Sequence, residues 1–484
     1  MWDWAQHLVL TFPMASKGLR LLGEYAKDEG WLPTRNDADK PAVQVSLGFS
    51  RRGLERIGVP AYVLTCFALR AQAFTAGAAL RASPQLAASG MNVPEHWVEA
   101  FHHCNLHAVI SLHSNEPDAL EKLRGRIWEH AEDLGISLRA LPLAHRLSTR
   151  PGGQHVASQH VASEAAARDE HQKAQWTHFG FRDGLSRIGI EGWTRQRDLE
   201  SLKPTSIHRA GEFLLGHPQD SGANPWIAGP GASVWPGEMR AFFRDGSFGV
   251  LLQMQQFVEP FEAFVDDETR KLRRLEIPDE RTHPPTLDEL AKRTNDLKGK
   301  LCGRYPEGRV LAATQRSPGD DFDFADDPIG AHCPFGSHIR RMNPREPPGD
   351  TELPNAVRRR PLLRRGLPYQ TTQACGNVER GLMGHFFCAS VEDQFEHLFG
   401  QWGERVPLGS PDRGGARDPL IGAHDTRDGP YEIPQEKPAA SIMLDGMTPF
   451  VRTRGAAYLF YPSVPVVQGI AKSDLWLSDD ETDT

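Results

Sequence analysis

Strand-like and helix-like stretches alternate along this chain, and the alternation runs twice. In the first third, His7–Phe12, Ala42–Ser50 and Leu106–Ser114 are short apolar runs of strand character. Helical stretches lie between and after them. In Pro117–Gly135, residues Leu120, Leu123, Ile127, Trp128 and Ala131 recur at helical spacing, and Gly135 is a natural stop. The second half repeats the pattern. Gly211–Gly216 and Gly246–Phe257 read as strands, the latter entered through an Asp245-Gly246 turn. A helix is expected from Thr286, where Thr-Leu-Asp-Glu forms a capping box and Leu287, Leu290, Leu297 and Leu301 make one apolar face. Gly381–Ser390 and Ala456–Val464 read as late buried strands. This order suits an α+β sandwich better than a doubly wound sheet. No G-x-G-x-x-G follows a strand, so a dinucleotide fold has no support.

Composition narrows the function classes. The 484 residues carry a net charge of −8, which argues against nucleic acid as the main partner. No apolar run approaches a membrane span. The N-terminal MWDWAQHLVLTF lacks a charged leader region, a twin arginine and a small-residue cleavage site, so we expect mature structure and a cytoplasmic location. The six cysteines are scattered, without a CxxC pair, as reduced thiols would be. A tandem QHVAS copy at 154–163 reads as a polar loop insertion, and the acidic end as a frayed tail.

Three segments could carry chemistry. Cys333–Arg345, CPFGSHIRRMNPR, sets His338 between a Pro/Gly turn and Arg340-Arg341, and Asn343-Pro344 then forces the chain out of any helix. A histidine there can aim Nε2 into a cavity while Nδ1 bonds an acceptor, which is how one imidazole holds a haem iron. The neighbouring arginines could pair with haem propionates. A partly exposed histidine in a basic loop fits the same residues. His178–Arg187, HFGFRDGLSR, holds Asp183 between Arg182 and Gly184. A carboxylate in so glycine-rich a segment can face a ligand and move a proton, although an Asp-Gly turn needs no function. Arg358–Gln370, RRRPLLRRGLPYQ, lies in the long irregular region 302–370. Its Pro361-Leu362-Leu363 interruption points some arginines inward, where they could stabilise an oxyanion; otherwise the run is a solvated face.

Together and in this order, these segments resemble the dye-decolourising peroxidase family. Gly180-Phe181-Arg182-Asp183-Gly184 matches its G-x-x-D-G signature, FDFADDPIGAHCPFGSHIRRMNPR its proximal segment, and LLRRGLPY its distal arginine segment. Further similarity runs through VSLGFSRRGLERIGV, GEFLLGH, CASVEDQFEHLFGQW, DPLIGAHD and FVRTRGAAYLFYPSVP, so the likeness covers nearly the whole chain. The resemblance implies an α+β fold of two ferredoxin-like halves with antiparallel sheets and peripheral helices, of the dimeric α+β barrel type. We place the halves at 1–205 and 206–484, with haem mainly in the second.

The resemblance also implies one haem b per chain, with His338 as axial ligand and Arg340, Arg341, Leu382 and Phe386 around it. Hydrogen peroxide would bind opposite His338. Asp183 would shuttle a proton between the peroxide oxygens, and Arg364, rather than Arg365, would stabilise the leaving oxygen. A small aromatic donor would then be oxidised one electron at a time, by a chain that leaves room for a homo-oligomer. Trp193, Tyr369 and Trp402 are among the residues that could relay electrons to bulky dyes. The family's Leu-x-Phe on the distal strand is here Leu382-Met383-Gly384, followed by His385. In that register a ring is missing, and His385 either reaches the site or points out of the strand. Glu392 and Asp393 are the nearest candidates to accept the His338 Nδ1 proton. A haem-binding or haem-handling protein with slow turnover, or a vestigial site, are the competing readings.

Overall fold

The computed structural model describes residues 2–27, 41–86, 88–102, 104–151, 175–202, 206–226, 237–278, 282–311, 322–345, 360–373, 375–404, 417–424 and 429–472. Among them, ten strands build one main sheet. The N-terminal half contributes β1 (Trp4–Thr11), β2 (Val43–Phe49), β3 (Ala108–Ser114), β4 (Ser137–Ala140) and β5 (Ala144–His145). The C-terminal half contributes β6 (Ser247–Gln256), β7 (Leu363–Arg364), β8 (Leu367–Thr372), β9 (Val378–Cys388) and β10 (Val451–Tyr461).

The strands run in the order β6-β10-β2-β3-β1-β5-β8-β9, and β9 pairs back onto β6. The sheet is thereby a closed barrel with every pair antiparallel. Closure leaves no open sheet edge on the circuit. Among the described residues, strands of the two halves pair along only two short seams, Phe460 opposite Phe49 and Tyr369 opposite Ala144. Strands β1, β3 and β6 are buried along nearly their whole length on both faces. Side chains fill the barrel inside, and helices cover it outside.

The helices that matter for the site are α1 (Ala15–Lys27), α2 (Pro117–Asp133), α3 (Val258–Glu276), α4 (Leu287–Cys302) and the one-turn α5 (His338–Met342). Helix α2 begins with Pro117 in its first turn and buries Leu120, Leu123, Ile127 and Ala131, as the spacing predicts. Trp128 sits at the rim, its indole N–H donating to Glu132. Helix α4 is capped by Thr286, whose hydroxyl accepts from the Glu289 N–H, and stops at Gly303 with φ +92°. Lys298 on α4 holds Glu262 on α3 at 2.6 Å and packs the two helices together.

One expected strand is not one. Gly211–Gly216 opens with a short 3-10 turn, Ala210–Glu212, and then continues as turn. Glycines at both ends let it curl (Gly216 has φ +80°), and the buried Glu212 carboxylate accepts from the Asp220 N–H. The tandem QHVAS copy, Arg358, Arg359 and the acidic end lie outside the described residues. No helix among the described residues is long and apolar enough to cross a membrane.

Candidate active site

The site lies around β9 and α5, and alternation along β9 decides which side chains it holds. Register pairs Leu382 with Pro368 and Phe386 with Arg364, while Met383 pairs with Leu367 and Phe387 with Leu363. Paired residues share a face. Leu382, Gly384, Phe386 and Arg364 therefore share the outer face, and Met383, His385 and Phe387 point into the barrel. Arg365, next in the chain, donates its N–H to the His385 carbonyl. It lies close enough to the barrel's histidines to depress their basicity. The Arg364 guanidinium is exposed and has no protein partner among the described residues. Strand geometry thus separates the two arginines that the sequence run left adjacent.

The gap at Gly384 is filled. A Cβ built on Gly384 would meet the Phe386 ring at 2.6 Å. That ring lies over the glycine and occupies the space a side chain there would take. It also packs on Phe395 with centroids 5.4 Å apart. Phe395 belongs to the π-helix Val391–Gly403, a form of helix frequent at functional sites. The other end of this helix reaches α5, since the Trp402 carbonyl accepts from Arg341 at 2.9 Å. One element thus bridges the outer face of β9 and the histidine helix.

His338 opens α5 after an extended Ser337, and Asn343 ends the helix by bonding back to the Ile339 carbonyl. Its Nδ1 donates to the Asp418 carboxylate at 2.9 Å, across eighty residues of sequence. Asp418 is fully buried, and its second oxygen accepts the N–H groups of Leu420 and Ile421. Burial pushes the Asp418 carboxyl up, but the charge and hydrogen bond of His338 outweigh it and hold it below the usual aspartate range. The His338 Nε2 is left open: no protein group among the described residues bonds it, and the side chain is 26% exposed.

Glu392 and Asp393, the acceptors expected from sequence, do other work. Glu392 accepts from the Ala73 N–H, and Asp393 is bonded to Ser390 at the start of the π-helix. Arg340 and Arg341, expected beside the haem, are both engaged by protein groups. Arg340 is buried, sandwiched over Phe324 and Phe335 at 4.4 and 4.3 Å, and paired with Asp327 at 2.8 Å. Arg341 is buried and turned to the carbonyls of Gly336 and Trp402. Burial lowers the basicity of both, and their donors fix the turn that carries His338.

Asp183 accepts from the Gly184 N–H at 2.7 Å and from the Gln175 side chain at 3.3 Å. Gln175 also reaches the Gly366 carbonyl at 3.4 Å, which ties the Asp183 segment to the turn just after Arg364. Glycines 180 and 184 have φ of +81° and +74°, so both positions need the freedom of glycine. Sequence reasoning missed three supporting residues: Asp418, Gln175 and Asp327. Asp418 lies within the family-like DPLIGAHD stretch, which was its only signal. Of the relay candidates, Trp193 is exposed, whereas Tyr369 and Trp402 are buried.

A haem fits this donor set. One imidazole with Nδ1 committed to a carboxylate and Nε2 open is the arrangement of a single axial ligand. The nearby Cys333 does not compete, because burial pushes its thiol up to about 11 and its sulfur bonds Ser337.

A closed α+β barrel carrying one such imidazole, with a tethered carboxylate and an arginine unpartnered among the described residues, is an arrangement that could hold a haem. Residues 21–137 match the model of the DyP dimeric alpha+beta barrel domain. The chain is 26% identical over 469 residues to the dye-decolorizing peroxidase msp1 of Mycetinis scorodonius, covering 90% of this chain and 77% of that one. It is 24% identical over 463 residues to a dye-decolorizing peroxidase of Auricularia auricula-judae, with the same two coverages. Its fold matches that of a dye-decolorizing peroxidase solved with 2,6-dimethoxyphenol, at a TM-score of 0.70, 21% identity, and 97% and 96% coverage of the two chains. An ancestral D-type dye-decolorizing peroxidase matches at a TM-score of 0.71 and 23% identity, with the same coverages. Over most of its length the chain is similar in sequence and in fold to dye-decolorizing peroxidases.

Proposed function

We propose that this chain is a haem b peroxidase that reduces hydrogen peroxide and oxidises a small aromatic donor, a dye or a phenolic, by single electrons. The observation that carries the reading is His338, with Nδ1 held by Asp418 and Nε2 open. The relatives' names and the dimethoxyphenol complex of a similar structure support the donor class. When bound, the haem supplies a Lewis-acid iron and the redox capacity that breaking an O–O bond requires.

The protein's own residues do the rest. Asp418 keeps the Nδ1 proton in place, which leaves Nε2 as the ligand and raises its basicity. Asp183, steadied by Gly184 and Gln175, takes the proton from one peroxide oxygen and returns it to the other. The Arg364 fork stabilises the charge that grows on the departing oxygen. Leu382 and Phe386, on the same face as Arg364, limit water around these groups. We assign 1–205 and 206–484 to the two ferredoxin-like halves, and a reducing, cytoplasmic setting fits six unpaired cysteines.

Reconstitution with haemin should give a Soret band that shifts within the first turnover after peroxide mixing. Asp183→Ala and Arg364→Ala should bind haem normally yet slow that shift by about 10²–10⁴-fold, the usual contribution of a positioned acid–base group. Unchanged haem spectra in His338→Ala would overturn the axial assignment. Haem binding without any response to peroxide would leave a haem-handling protein instead.

A further inference from the structure

The barrel interior holds a group that the peroxidase reading does not use. Tyr461, the last residue of β10, is buried, and its hydroxyl lies 2.7 Å from Nε2 of His385. The ring fits only because two facing strands carry glycine there. A Cβ on Gly249 would come within 2.4 Å of the Tyr461 ring, and one on Gly48 within 2.6 Å. Two strands from different halves of the chain thus leave room for one phenol. Around it lie His7, whose Nδ1 bonds Ser111 at 2.8 Å, and His113, whose ring stacks on His385 at 6.1 Å and 12°. The Ser111 hydroxyl lies close enough to Tyr461 to offset part of the rise that burial causes in its phenol.

We propose that Tyr461 and His385 form a redox-active tyrosine–histidine pair that holds an oxidising equivalent inside the barrel. The proposal rests on the peroxidase reading for its oxidant, the peroxide-oxidised haem. In the step, Tyr461 gives one electron to that oxidant. Its phenolic O–H bond breaks, the proton forms an N–H bond at His385 Nε2, and a neutral phenoxyl radical remains. An electron from the donor later reduces the radical, and the proton returns from the imidazolium to the phenol oxygen.

Geometry makes the step local and reversible. The phenol is buried, and its hydrogen-bond partner among the described residues is an imidazole, a base. Among the described residues His385 Nδ1 has no partner, and the ring's hydrogen bond there goes to Tyr461. Burial keeps His385 neutral before the electron leaves. His385 also sits between Gly384 and Phe386 in β9, so the pair lies directly behind the face that carries Phe386 and Arg364. A peroxidase short of donor would gain a place for the oxidising equivalent that is reversible rather than damaging.

Two experiments test the pair. In haem-loaded protein frozen shortly after peroxide mixing, wild type should show a tyrosyl electron paramagnetic resonance signal that Tyr461→Phe loses, with the Soret band unchanged. His385→Gln keeps a hydrogen-bonding group but not a base, and should lower the yield by about a hundredfold, the lower end of a positioned base's contribution. A tyrosyl signal that survives undiminished in Tyr461→Phe would overturn the proposal.

The second experiment needs no peroxide chemistry. A photogenerated ruthenium(III) oxidant applied to the full chain should produce the same neutral radical in wild type and not in Tyr461→Phe. Absence of any difference between the two would also overturn the proposal. Failure of the Soret band to respond to peroxide, with the photochemical radical still formed, would overturn the peroxidase reading alone.

Discussion

His338 and Asp418 show how much rests on a single contact. The imidazole is legible in the sequence as one framed by a turn and a forced helix end. Its acceptor is not, because eighty residues separate the two and spacing carries no information about such a distance. Replacing Asp418 by Asn keeps the shape and removes the charge. We expect Asp418→Asn to weaken haem retention by about 10–100-fold, the usual effect of losing a partner of a ligating histidine, as read by haemin titration. The arginines teach the converse. Arg340 and Arg341 stand beside His338 in sequence, yet Asp327, Phe324, Phe335 and the Trp402 carbonyl claim them. A long guanidinium reaches several ångströms from its backbone, so adjacency in sequence says little about where its charge acts.

At the scale of the element, β9 sorts the site. The family's Leu-x-Phe pattern is absent, and the sequence left a missing ring and a His385 that either reaches the site or points out of the strand. The strand resolves this by laying Phe386 over Gly384 and turning His385 to the opposite face. The ring is therefore displaced by two residues rather than lost. Gly384→Phe alone should overpack the face and destabilise the protein by about 1–3 kcal/mol, measured by chemical unfolding. Adding Phe386→Ala to it should recover part of that loss, since one ring again occupies one space. Two additive losses would show that the rings do not share the site.

At the scale of the molecule, the closed barrel buries three histidines that water cannot reach. Burial, and then the charge of His113, hold His7 down to about 3; burial, and then Arg365, hold His113 down to about 4. Burial holds His385 well below its ordinary value. All three are neutral in the folded chain, while the unfolded chain protonates them below about 6.5. The unfolded state therefore takes up more protons as pH falls, and stability drops from about pH 6.5 downwards. Each histidine contributes a slope of about 1.4 kcal/mol per pH unit until its folded value is reached. Denaturant midpoints measured from pH 7 to 5 should fall steeply, and His113→Asn should flatten the slope.

The sequence by itself determined the elements and the chemistry they could carry. Strand and helix positions followed from apolar spacing and from signals such as the Thr286 cap and the Gly135 stop. The candidacy of Asp183, Arg364 and His338 rests on their joint likeness to one family. Gly211–Gly216 was misread because a short apolar run does not reveal a curl between glycines. Tertiary structure alone decided the closure of two halves into one barrel through the short seams at Phe49 and Ala144. It also decided which face of β9 meets the site. The reason is physical: strand pairing is non-local, and alternation separates two faces of a strand without saying which is inside when both are buried. On β9 that choice sets Phe386 on the face it shares with Arg364 of β7 and turns His385 to Tyr461.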